Sequence, residues 1–165
     1  MNTVKPVKNV LIICGRDIDL RQVMEMSADS VVKDRINIHV MNCHRNLWSI
    51  MNFVGRNDLS TYSVVIGIAT KALPVPTVVD TWVRFYKRNV RVVGVAFGAP
   101  DSRDLRIAQI YIKRIPGQSD VLDATGNVYS NSEGLAELLL RISNEDLPQI
   151  APREEKSAKT RCWLG

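Results

Sequence analysis

Four consecutive branched aliphatics fill the stretch NVLIIC (Asn9 to Cys14), which ends at Gly15 and is followed by polar residues. An unbroken apolar run of this length, rather than an alternating one, fits a strand covered on both faces. Beyond it, Leu20, Val23, Met24, Ser27 and Val31 recur at helical spacing between Asp19 and Lys33, with Asp19 placed to cap the helix. The cycle then repeats. INIHVM (36–41), YSVVIGI (62–68) and VRVVGVAF (90–97) read as strands, and Asn46 to Val54, Pro76 to Arg88 and Asp101 to Lys113 as the helices that follow them. Pro76 suits the first turn of its helix, where its missing N–H has no partner to lose.

Buried strands that alternate with amphipathic helices predict a parallel sheet, because parallel neighbours need crossovers and helices supply them. The expected architecture is α/β, a three-layer sandwich around a central parallel sheet, flavodoxin-like. After Ile115 the pattern weakens through PGQSDVLDATGN, where a short fifth strand is expected, and Ser132 to Ile142 forms a last helix with Leu135, Leu138, Leu139 and Ile142 on one side. From Pro148 the chain turns to Pro, Lys, Glu and Ser and loses periodicity. Residues 1–147 are therefore expected to form one domain and 148–165 a C-terminal tail.

Composition narrows this picture. With 165 residues, 45% hydrophobic and 24% charged, the chain is large enough to bury one real core. No apolar run approaches the ~18 residues of a membrane span. The opening MNTVKPVKNV leads into a strand-like run rather than into a signal peptide's apolar segment. A cytoplasmic protein without membrane contact is the expectation. Cys14, Cys43 and Cys162 are odd in number and form no CxxC pair, which predicts reduced thiols and neither a disulfide framework nor a zinc site. The net charge of +5 admits nucleic acid, anionic ligands or a solvated basic surface. Much of the excess is spread over two predicted helices between Arg84 and Arg114, without a block of consecutive basic residues and interleaved aromatics, and this disfavours nucleic acid.

In an open parallel sheet ligands bind at the carboxyl ends of the strands, so the residues just after each strand carry the candidate chemistry. Gly15 to Asp19 comes first: a turn opening onto a helix offers free backbone N–H groups to a phosphate, with Arg16 and the carboxylates of Asp17 and Asp19 close by. Asp19 as a plain helix cap is the ordinary alternative. In Asn42-Cys43-His44-Arg45, an imidazole able to exchange protons near neutral pH stands beside a guanidinium able to grip an oxyanion through two bonds. A surface histidine next to a helix-start arginine is the alternative there. The third loop, from Ala69 to Pro74, contributes Thr70 and Lys71, and the fourth is Gly98 to Ser102.

Taken in series, these loops resemble the aminoimidazole ribonucleotide carboxylases and carboxyaminoimidazole ribonucleotide mutases of purine synthesis. That family's G-S-x-S-D corresponds to Gly15-Arg-Asp-Ile-Asp19, and its S-A-H-R to Asn42-Cys-His-Arg45. The glycine-rich third loop corresponds to Gly67-Ile-Ala-Thr-Lys-Ala-Leu-Pro-Val-Pro-Thr77, the P-V-I-G-V-P-V strand to Arg91-Val-Val-Gly-Val-Ala-Phe97, and M-P-G-G to Ile115-Pro-Gly-Gln118. The likeness spans roughly Asn9 to Ile142. The departures are specific: Arg16 and Ile18 stand where the family has serines, Asn42 where it has another, Thr70 and Lys71 in place of a glycine pair, and Pro74 in place of a second histidine.

The resemblance implies carboxyl transfer on aminoimidazole ribonucleotide, with His44 moving the proton and with neither metal nor cofactor. It implies that Gly15, Arg16, Asp19, Asn42, Arg45, Ala69, Thr70 and Lys71 hold a phosphoribosyl small molecule. It also implies a symmetric homo-oligomer, with Val78, Trp82 and Phe85 on a helix that can face a neighbour. The alternative is a family-derived protein that keeps the ribotide or another phosphorylated ligand, or acts in assembly only, without the chemistry.

Overall fold

Val10, Leu11, Ile12 and Ile13 are all fully buried in the computed structural model, which describes residues 9–56, 59–71, 74–114 and 121–147. They form β1 (Asn9–Cys14), which pairs on one side with β2 (Ile36–Val40) and on the other with β3 (Tyr62–Thr70); β3 in turn pairs with β4 (Arg91–Phe97). Every pairing is parallel, and the order across the sheet is β2-β1-β3-β4. The helices are α1 (Asp17–Ala28), α2 (Leu47–Arg56), α3 (Val75–Phe85), α4 (Arg103–Arg114) and α5 (Asn131–Ser143).

The two-residue period of a strand decides which layer each side chain joins. Val10, Ile12 and Cys14 pack with Val23 of α1 and with Leu135, Leu138 and Ile142 of α5. Leu11 and Ile13 point the other way, into a cluster with Ile50 and Val54 of α2 and Val79 and Val83 of α3, while α4 packs its Leu105, Ala108 and Ile112 beside Ala69 and Ala96. The protein is thus an α/β three-layer sandwich, flavodoxin-like. Among the described residues no helix is long and apolar enough to cross a membrane.

Gly67 of β3 and Gly94 of the edge strand β4 are register partners, on the face covered by α3 and α4. A Cβ on Gly67 would lie 2.6 Å from the Cα of Pro76, so the missing side chain lets the first turn of α3 rest directly on β3.

Several element ends differ from the periodicity reading. The first helix begins at Asp17 with Arg16 as its N-cap, so Asp19 lies inside the first turn and is not a cap. It stops at Ala28, well before Lys33, and a short 3-10 turn over Lys33–Arg35 leads into β2. The third helix ends at Phe85 rather than Arg88, because Lys87 adopts a left-handed φ of 51° and the Arg88 N–H turns back to the carbonyl of Val83. The fifth strand is reduced to one parallel bridge between Ser130 and Ala96; residues 121–127 instead form a turn around Asp123, and 115–120 lie outside the described residues. The predicted tail, 148–165, lies outside them as well.

Candidate functional site

The strand order places β2 on one side of β1 and β3 on the other, so successive crossovers leave in opposite directions from the carboxyl ends of β1 and β3. A crevice opens at such a reversal. Gly15, buried at the end of β1, leads to Arg16 and the first turn of α1, and Thr70 ends β3 on the face that α1 covers.

Three of the candidate residues meet here. The Arg16 guanidinium donates from Nε to Asp19 Oδ2 at 3.1 Å and from Nη2 to Asp19 Oδ1 at 2.9 Å, a two-bond fork. The Thr70 hydroxyl donates to Asp19 Oδ2 at 3.3 Å. Asp19 and Thr70 are buried, and Arg16 is about one third exposed at 33% of its side chain. The hydrogen bonds to Asp19 push the Arg16 pKa upward against the opposing effect of burial, helped by the charges of Asp19 and Asp104. Its positive charge is permanent. Just behind, burial and the charge of Asp19 push the Cys14 thiol up to about 12, which keeps it protonated and unsuited to act as a nucleophile.

Arg16 and Asp19 form one wall of a cleft of about 460 Å³ whose opposite sides are the β4 loop at Gly98 and the start of α5 at Ser132 and Glu133. Gln22 Nε2 donates to Ser132 Oγ at 2.8 Å and ties the two helices across it. The Gly98 N–H donates to Asn131 Oδ1 at 3.0 Å, and Asn131 itself takes a left-handed φ of 54°. The rim is therefore held by hydrogen bonds between segments far apart in the chain.

The other candidates lie elsewhere. Asn42 Oδ1 accepts the backbone N–H groups of His44 at 2.9 Å and Arg45 at 3.0 Å, which closes the loop after β2 into a tight turn. His44 and Arg45 are exposed on that turn and do not line the cleft. Lys71, also with a left-handed φ, at 52°, pairs with Asp104 at 3.5 Å. Ala69 is buried against Leu105 and Ala108 of α4 and serves packing.

Gln22, Asn131, Ser132 and Glu133 were not among the sequence candidates. The rule that marked the other loops applies to α5 too, since it follows the fifth-strand position. A single bridge at Ser130 leaves almost no strand signal to follow, so that loop goes unmarked. Chemically, the cleft presents one fixed cation, hydroxyl and amide groups, and the acidic Glu133 at its far side. Among the described residues that line it there is no histidine.

No protein-family model matches the chain, and no curated protein matches it in sequence.

Proposed function

We propose that this protein binds a small phosphorylated molecule, of the phosphoribosyl kind, in the cleft between the starts of α1 and α5, as a divergent relative of the aminoimidazole ribonucleotide carboxylases and mutases that retains the ligand rather than the reaction. The observation that carries this reading is the permanently charged Arg16, held in a fork by buried Asp19 on the cleft wall. A guanidinium fixed in this way loses little freedom when it takes an oxyanion.

Carboxyl transfer in purine biosynthesis is the second reading, and the Asn42-closed turn favours it by presenting His44 and Arg45 at the carboxyl end of β2, the neighbour of β1. A proton-shuttling imidazole works best in a site closed to bulk water. His44 is exposed in a single chain, so this reading requires a neighbour over the β2 edge. Trp48, 72% exposed at the start of α2, supplies apolar surface beside it for such a contact. A cytoplasmic, symmetric homo-oligomer belongs to this proposal, and light scattering that gives a monomer at micromolar concentration removes it.

Calorimetry with aminoimidazole ribonucleotide and with its nucleoside tests the binding reading. The ribotide is expected to bind about tenfold or more tightly, the worth of a charge-assisted hydrogen bond pair. Equal affinities eliminate the phosphate site. Conversion of carboxyaminoimidazole ribonucleotide by the wild type, lost in His44→Asn by ~10²-fold or more, establishes the second reading; binding without conversion leaves the first.

A further inference from the structure

We propose that Arg16 sets the charge selectivity of the cleft: it is a built-in counter-ion that withdraws the Asp19 carboxylate from use by ligands and offers its own remaining donors instead. The inference rests on the cleft being the binding site. Both carboxylate oxygens of Asp19 are taken, Oδ1 by Arg16 and Oδ2 by Arg16 and Thr70, and the residue is buried behind the guanidinium. Arginine carries five N–H donors. Two of them bind Asp19 here, through Nε and Nη2, which leaves three, two on Nη1 and one on Nη2, on a side chain that lines the cleft. A molecule entering therefore meets N–H donors and a neutralised pair where the buried acid alone would offer acceptors and negative charge.

The arrangement also defines what its removal creates. With the side chain cut back at Arg16, the space it occupied retains the Asp19 carboxylate fork, the partner of a planar guanidinium, with the Thr70 hydroxyl still donating to Oδ2. An uncompensated carboxylate in a sheltered place is costly and attracts a cation. The same cleft, lined also by Glu133, becomes selective for cations.

The test uses the full chain, its Arg16→Ala and Asp19→Asn variants and the Arg16→Ala/Asp19→Asn double variant, with inorganic phosphate and ethylguanidinium as probes in calorimetry and circular dichroism as the check on folding. Arg16→Ala is expected to lose phosphate affinity by about tenfold or more and to gain ethylguanidinium binding that the wild type lacks. The double variant is expected to lose that gain. Asp19→Asn keeps the shape, frees the charge of Arg16 and is expected to raise phosphate affinity by about threefold or more, since a close opposite charge has gone; it decides the matter where Arg16→Ala fails to fold. A folded Arg16→Ala protein that takes up no ethylguanidinium overturns the proposal, as does an Asp19→Asn protein with unchanged or weaker phosphate binding in a wild type that binds phosphate. A wild type indifferent to phosphate, beside an Arg16→Ala variant that gains ethylguanidinium through Asp19, upholds the role of Arg16 and overturns the phosphorylated-ligand reading of the cleft.

Discussion

Gly67→Ala tests whether the contact between β3 and α3 is as close as the structure has it. The new methyl carbon would stand 2.6 Å from Pro76 Cα, 2.9 Å from Pro76 N and 3.0 Å from Pro76 Cβ. Comfortable carbon–carbon contact is about 3.5–4.0 Å, so the first turn of α3 must retreat by roughly 1 Å. That retreat cannot be absorbed by a rotamer change, because the obstructing atoms are backbone and a proline ring. It also lifts Val75 and Val79, both fully buried, from the sheet. Overpacking typically costs about 1–3 kcal/mol, and the rigidity of the obstacle places this variant near the top, at about 3 kcal/mol. Against a typical total of ~5–15 kcal/mol, the variant still folds. In urea unfolding followed by circular dichroism, with a slope of about 1–3 kcal/mol per molar, the midpoint is expected to fall by about 1–3 M. Gly94→Ala serves as the comparison: the three atoms nearest its Cβ all belong to the side chain of Ile112, the first at 2.8 Å, and a side chain can shift more readily than a helix backbone. A midpoint change below about 0.3 M for Gly67→Ala, or a larger loss for Gly94→Ala, refutes the reasoning.

Three further outcomes are expected. Below pH 9 the Cys14 thiol is protonated whether the chain is folded or not; above it the unfolded chain loses the proton at the ordinary 9.0 while the folded one holds it to about 12, so stability falls as pH rises across that window. The loss from this group reaches about 1.4 kcal/mol near pH 10, and Cys14→Ala is expected to remove that part of the slope in unfolding curves taken from pH 8 to 10. Arg88→Ala strips the donors that hold the Val54 and Gly55 carbonyls at the end of α2; a loss of about 1–2 kcal/mol follows, read as a drop in the melting temperature, and an unchanged melt refutes the capping role. Thr70→Val keeps the shape but removes one donor from buried Asp19, for an expected loss of about 1 kcal/mol by urea unfolding; no loss means the hydroxyl does not support the carboxylate.

Local rules carried much of the architecture. The aliphatic run in β1 can be satisfied only between two apolar layers, and the helical spacing after it supplies a crossover, so a parallel sheet inside a sandwich follows from residues at most a few turns apart. The Arg16 and Asp19 pair was also within reach of the sequence, because three residues along a helix bring side chains onto one face. Reading Asp19 as a cap conceals it, since Arg16 occupies that position and α1 starts three residues earlier than such a cap requires.

The sequence by itself determined the class of fold, the order of its elements and the carboxyl-end loops in which chemistry had to be sought, because hydrophobic period and turn chemistry act over short distances. Only the tertiary structure decided which loops share a cleft. Thr70 reaches Asp19 across 51 positions and Gln22 reaches Ser132 across 110, contacts that exist because β3 lies beside β1 and α5 beside α1. His44 and Arg45, adjacent in sequence to an equally suitable strand end, stand apart because β2 lies on the far side of β1 from β4, whose end lines the cleft. A charge is a property of a residue, but its freedom to meet a ligand depends on what the fold sets against it; for Asp19 that is Arg16, and no periodicity records it.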